Sequence, residues 1–215
     1  MPVANASPLA LLRSGLVEYE EALSIQRNIH REVSSGARPN TLILLEHPSI
    51  YTAGKRTLET ERPVNGARVI DVDRGGKITW HGPGQLVGYP IVRLSNPHEL
   101  VGFVREIEGA LIKVCEDFGI KAVRVEGRSG VWVVDTRGER KIAAIGIRVA
   151  AKTSMHGFAL NVNPDLSAFE AIIPCGISDA AVTSLANELN RKITVEEVSP
   201  KVEKYLYEAL AKVSA

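Results

Sequence analysis

Cysteine is scarce in this sequence, two in 215 residues, and the pair Cys115 and Cys175 stand in unrelated contexts. No disulfide framework is expected from them, and a reduced, cytosolic compartment is the natural reading. Long apolar runs are missing too: nothing approaches the roughly 18 residues of a membrane-spanning helix. The opening stretch MPVANASPLALLRSG has no Lys or Arg ahead of its short apolar segment, so it does not read as a secretory signal. Neither sign of charge is in excess, since 26 Lys and Arg against 25 Asp and Glu leave a net charge of +1. That balance excludes a whole-molecule field for nucleic acid or an anionic membrane. An acidic partner would have to meet a local patch, for which Arg124, Arg128, Arg137 and Arg140 are candidates. The signatures of several chemistries are absent as well. Lys77 precedes Ile78 and completes no phosphate loop, no G-x-G-x-x-G follows a strand, no CxxC pair occurs, and no HExxH occurs. No metal set and no cofactor is therefore expected.

What is present suits one globular domain, with 45% apolar and 24% charged residues. The spacing of Tyr19, Ala22, Leu23, Ile29 and Val33 predicts an amphipathic helix over 18–33, closed by Gly36 and Pro39. Short apolar runs at 41–45, 68–72 and 86–94 read as strands. Asn96-Pro97-His98-Glu99 reads as a capping box. The helix after it carries Leu100, Phe103, Ile107, Leu111, Val114, Cys115 and Phe118 on one face, which makes Cys115 a core thiol. Strands are expected again at 122–125, 131–134, 141–149 and 157–162, then a short helix at 166–171. Thr194 to Glu197 is a second capping box ahead of a C-terminal helix. Interspersed helices and strands without repeats predict an α/β fold, a single domain with a mixed sheet flanked by helices.

The run RGGKITWHGPGQLVGYP at 74–90 gathers glycines, a proline, a histidine and a tryptophan in one place. Glycine costs conformational entropy, so such density predicts a shaped loop rather than a linker. Cys175 lies between Pro174 and Gly176, outside any periodic apolar face, a plausible way to present a thiol at a turn. A free thiol is mostly protonated at neutral pH and needs a cation or base to act as nucleophile. Lys141, at the head of the strand KIAAIGIRV, and the histidines His81 and His156 are the candidates for that partner.

Together TLILLEHP, YTAGKR, RGGKITWHGPGQ, GRSGVWV, KIAAIGIRV, HGFALNVN and IIPCGI resemble the lipoyl(octanoyl) transferases, the octanoyl-acyl carrier protein:protein N-octanoyltransferases. The resemblance spans almost the whole chain after the first fifteen or so residues. It implies the fold of biotin and lipoate protein ligase catalytic domains, with 1–15 as an N-terminal extension and 16–215 as the catalytic domain. It implies that an octanoyl group passes from octanoyl-acyl carrier protein to a lysine of a lipoyl domain through a cysteine thioester, an early step of lipoate cofactor biosynthesis. By the same resemblance Cys175 carries the acyl group and Lys141 is its partner. The acyl-binding segments fall on Arg74, Gly75, Gly76, Lys77, Ile78, Thr79, Trp80 and His81, on Ala144, Ile145 and Gly146, and on Gly157, Phe158 and Ala159. The implied acceptors are lipoyl domains of 2-oxoacid dehydrogenase acyltransferase subunits and the glycine cleavage H protein, with a monomer in the cytoplasm. His81 is expected to shape the site and His156 to orient or support it. The competing readings are an ATP-dependent ligase on the same fold, a domain that only sequesters acyl chains, and a thiol hydrolase.

Overall fold

The computed structural model describes residues 9–172 and 181–215. The chain runs through β1 (Ala10–Leu16), α1 (Tyr19–Ser35), β2 (Thr41–Glu46), β3 (Ile50–Ala53), β4 (Val69–Asp71), β5 (Thr79–His81) and β6 (Gln85–Ile91). It continues with α2 (Leu100–Asp117), β7 (Ala122–Val125), β8 (Arg128–Asp135), β9 (Gly138–Ala150), β10 (Thr153–Asn161), β11 (Ala181–Val182), α3 (Leu185–Leu189) and α4 (Val195–Ala211). The main sheet has the order β1-β2-β6-β10-β9-β8-β7, and β11 adds to β9. Pairing is antiparallel except for β1 with β2 and β11 with β9, so the sheet is mixed. A separate sheet of three short strands has the order β4-β3-β5.

Both faces of the main sheet are covered, which is why β6 and β10 are buried at every position. On one face α2 and α4 pack through Phe103, Ile107, Leu111, Val198, Val202 and Leu206 onto Leu160, Ile142 and Val131. On the other, α1 lays Ala22, Ile29 and Val33 on Ile43, Val87, Tyr89 and Ala159. These apolar positions recur at helical spacing, as the sequence requires. Gly36 closes α1 at φ 79°, its N–H donating to Val33 O. Cys115 is buried in the α2 core, where burial pushes its thiol up to about 12.

Three elements depart from the sequence reading. The segment assigned to an N-terminal extension contributes most of β1, one of the two edge strands of the main sheet. The box at Asn96 does not cap α2: the helix starts at Leu100 with Glu99 as N-cap and no side-chain cap bond, while Asn96 Oδ1 accepts from the His98 N–H. Thr194 does cap α4, accepting from the Glu197 N–H at 3.3 Å. The predicted loop at 74–81 contains a strand, β5, pairing antiparallel with β3.

Candidate functional site

One cavity of about 240 Å³ lies on the α1 face of the main sheet, between β6, β10, β9 and the loop that leads into β5. Its position follows from side-chain size. Ala144 and Gly146 of β9 stand opposite Ala159 and Gly157 of β10, so the sheet surface there carries almost no side-chain volume.

Lys141 reaches this space because β9 is irregular. Val131 pairs with Ala143 while Trp132 pairs with Lys141, so Ile142 is an extra residue in β9, a bulge. Ile142 and Ala143 both enter the α2–α4 core, and the alternation resumes with Lys141 and Ala144 on the cavity side. Without the bulge, simple alternation would bury Lys141 in the helical core. Gly130 permits the bulge: its φ is 116°, and a Cβ there would lie 2.5 Å from Ala143 O. The Gly130 N–H donates to the fully buried Glu108 at 2.9 Å, and Arg105 and Arg124 neutralise that carboxylate.

The Lys141 side chain is 6% exposed, and its Nζ sits 4.6 Å from the centroid of the Trp132 ring. Among the described residues no carboxylate pairs with it. Its amino group thus faces an aromatic ring and the cavity rather than a carboxylate, where it can meet a reacting group. β11 passes directly beside it: Val182 is the Cα partner of Lys141, and the Thr183 N–H donates to Lys141 O at 2.9 Å. Cys175 lies outside the described residues, in the segment that joins Ile172 to Ala181.

A chain of hydrogen bonds runs from the Gly-rich loop to that same point. Arg74 donates to Thr52 Oγ1 at 3.0 Å, and Thr52 Oγ1 contacts His81 Nε2 at 3.3 Å. His81 Nδ1–H donates to Gln85 Oε1 at 2.7 Å, Gln85 Nε2 to Asn161 Oδ1 at 2.9 Å, and Asn161 Nδ2 to Thr183 O at 2.9 Å. Burial, with His47 adding to it, drives the His81 imidazole down to about 3, so His81 is a neutral link in this chain. Arg74 also donates to the carbonyls of Thr52, Gly75 and Lys77, which staples the loop to β3.

The first expected acyl-binding segment divides by strand parity. Arg74, Gly76, Lys77, Thr79 and His81 line the cavity. Ile78 and Trp80 point the other way, into a cluster with Tyr51, Phe169 and Ile172, where Trp80 donates to Ser49 Oγ at 2.9 Å. Gly75 lies outside the lining and hangs the loop on β9 through its N–H to Ile147 O. Ala144, Ile145, Gly146, Gly157, Phe158 and Ala159 all line the cavity. Gln85, Asn161, Thr183, Trp132, Tyr19 and Tyr89 join the site without having been singled out from sequence. Gln85 and Asn161 sat inside the motifs HGPGQ and HGFALN, but nothing local tells that an amide side chain will bridge two strands. The basic candidates Arg124, Arg128, Arg137 and Arg140 are engaged in ion pairs with Glu108, Glu139, Asp135 and Glu188.

The fold, a mixed sheet flanked by helices with a small second sheet beside it, is similar to that of the lipoate and biotin protein ligase catalytic domains. A bipartite lipoate protein ligase from Thermoplasma acidophilum superposes with a TM-score of 0.77 at 18% identity, covering 94% of this chain and 83% of its own. Lipoate-protein ligase A bound with ATP gives 0.75 at 18% identity, over 96% and 86%. At these identities the likeness is one of fold. The lipoyl protein ligase A/B catalytic domain matches residues 18–207. The chain is 58% identical over 200 residues to the octanoyltransferase of Salinispora tropica, covering 92% of this chain and 94% of that one. It is 59% identical over 203 residues to the octanoyltransferase of Acidothermus cellulolyticus, covering 94% and 92%. The chain belongs to the octanoyltransferase family, within the lipoyl protein ligase A/B catalytic domains. Among the described residues no helix is long and apolar enough to cross a membrane.

Proposed function

We propose that this chain transfers an octanoyl group from octanoyl-acyl carrier protein to a lysine of a lipoyl domain, with Cys175 as nucleophile and Lys141 as its proton partner. The observation that carries the reading is Lys141: the bulge turns it into a cavity lined by the family's motif residues, and no carboxylate among the described residues holds it. The walls also carry Arg56, Arg74, Lys77 and Arg128 and, among the described residues, no Asp or Glu. That polarity suits a donor whose acyl arm bears a phosphate.

In the first half-reaction the Cys175 thiol gives its proton to the Lys141 amine and the thiolate attacks the donor thioester carbonyl. The new C–S bond forms, the old one breaks, and the departing pantetheine thiolate takes the proton back from Lys141. In the second half the neutral amine of the acceptor lysine attacks the Cys175 thioester. Lys141 accepts the amine proton as the Cys175 thiolate leaves. Backbone N–H groups of the loop at 74–81, or of Cys175 and Gly176, take the oxyanion in both halves. The thioester already carries the activation, so no nucleotide is consumed. The acceptors are lipoyl domains of 2-oxoacid dehydrogenase acyltransferase subunits and the glycine cleavage H protein, and the protein acts as a cytoplasmic monomer.

Intact mass after mixing with octanoyl-acyl carrier protein tests this directly. An octanoyl adduct that maps to Cys175 and chases onto a lipoyl domain supports the two-step transfer. Lys141→Arg keeps the charge and removes the base, and transfer should fall by about 100-fold or more. Transfer at full rate by Lys141→Arg, or transfer with no adduct on Cys175, overturns the mechanism. Saturable ATP binding with lipoyl-adenylate formation would mean a ligase instead.

A further inference from the structure

One carboxylate lies inside the helical core. Glu108 stands in α2, on the face of the sheet away from the cavity, and is completely buried beside Ile107 and Leu111 of the apolar cluster. Burying a carboxylate is costly unless its oxygens are used. Here the two oxygens are divided. Oε2 accepts from Arg105 Nη1 at 2.7 Å and from Arg124 Nε at 3.1 Å, and these arginine side chains are 40% and 42% exposed. Arg124 also donates to Arg105 O at 2.6 Å, and Gly109 leaves it room, since a Cβ there would lie 2.9 Å from Arg124 Nη2. Oε1 takes the Gly130 N–H, at 2.9 Å.

Gly130 needs that acceptor because the sheet gives it none. On the β7 side the register jumps from Val123 opposite Trp132 to Val125 opposite Arg128, and on the β9 side it slips between Val131 and Trp132. Gly130 falls within the first break and next to the second, with a Cα partner in neither strand. A buried N–H without an acceptor is costly, so a bulge of this geometry holds only where something outside the ladder supplies one. Glu108 supplies it through the sheet from the far side. The same bulge decides the parity of Lys141 and sets its Nζ over the Trp132 ring at the cavity.

We propose that Glu108 is a positioning residue for the reaction: its Oε1 holds the Gly130 N–H, and so holds the bulge that delivers Lys141 to the cavity. The two arginines orient the carboxylate and leave Oε1 for the glycine. The role therefore depends on reach as well as charge. Glu108→Asp keeps the charge, and both arginines are long and exposed enough to follow it. The carboxylate is drawn back by about 1.5 Å, one C–C bond, which takes it out of hydrogen-bond range of Gly130. The kinetic consequence rests on the transferase reading above, whereas the placement of Lys141 can be read without turnover.

The test compares Glu108→Asp with Arg105→Ala, which weakens the ion pair and leaves the Gly130 bond in place. Glu108→Asp should lower kcat for octanoyl transfer by about 100-fold, the size of an ångström-scale misplacement, with the donor KM within about two-fold of wild type. Arg105→Ala should lower the melting temperature and leave kcat per folded molecule within about two-fold. NMR gives a signal independent of turnover. The Lys141 side-chain methylene protons, shifted upfield by the Trp132 ring in the wild type and in Arg105→Ala, should return toward ordinary values in Glu108→Asp. The wild-type Gly130 amide should exchange with solvent as slowly as the paired amides of β8 and β9. Either an unmoved kcat or an unmoved Lys141 signal in Glu108→Asp overturns the proposal, as do equal losses of kcat in the two variants. Fast exchange at Gly130 in the wild type overturns it too, and that measurement needs no variant to fold. If the wild type transfers no octanoyl at all, the transferase reading falls, and the Lys141 signal decides the positioning role by itself.

Discussion

His47, His81 and His156 show how much of the site's polarity is held neutral. His47 Nδ1–H donates to Val17 O at 2.7 Å and its Nε2 accepts from the Tyr89 hydroxyl at 2.7 Å; burial lowers all three imidazoles. A base with a lowered folded pKa stays unprotonated while the unfolded chain takes up a proton, so stability is lost as pH falls below the unfolded value near 6.5. Each such histidine contributes up to about 1.4 kcal/mol per pH unit. The urea midpoint should therefore drop between pH 7 and pH 5, a window above the range where most carboxylates titrate. A flat profile over that range would show that these rings are protonated in the fold. Single residues were readable in sequence where their neighbours announced them. Lys141 stood out at the head of an apolar strand, and His81 among glycines. Asn161 and Thr183 did not, because a bridging amide gets its meaning from strands that are distant in the chain.

At the level of elements, parity decides the chemistry. The sequence reading located β9 but not its bulge, since KIAAIGIRV is apolar at nearly every position and shows no break in alternation. Only the partner strand reveals it, through Gly130. Gly130→Ala should force the 2.5 Å approach to Ala143 O apart and destabilise the fold by about 2–4 kcal/mol. Octanoyl loading should fall as well, because the same shift turns Lys141 away from the cavity. Urea unfolding and loading measured on one preparation check both, and an unchanged midpoint would mean the bulge does not depend on this glycine. The misread start of α2 has a similar cause. Asn96 has the right chemistry for a cap, but it spends its oxygen on the His98 N–H in a local turn, and the N-cap falls three residues later, at Glu99, with the helix starting at Leu100.

Across the whole molecule, the α/β class and the flanking helices were legible because 3.6-residue and short apolar periods alternate cleanly. The second sheet was not: β4 falls within the run read as a strand at 68–72, but β3 and β5 are only four and three residues long and went unread. β1 escaped notice because Arg13, Ser14 and Gly15 interrupt its pattern. As the strand that pairs β2 on its open side, with Arg13 bridging to Glu203 of α4, β1 covers an edge that is apolar along its length. Deleting residues 1–16 should lower the melting temperature by about 10 °C and promote association through β2. Thermal unfolding with light scattering reads both, and an unaltered melting temperature would return that segment to the status of an appendage. The order of strands carries one more consequence. β10 is made late yet stands between β6 and β9, and the polar relay from Arg74 closes only at Thr183. A nascent chain halted before residue 153 therefore has β6 bare along one side and a row of amide and imidazole groups facing nothing. Synthesis yields no half-working product: the polypeptide is a substrate for chaperones and proteases until its last third has left the ribosome.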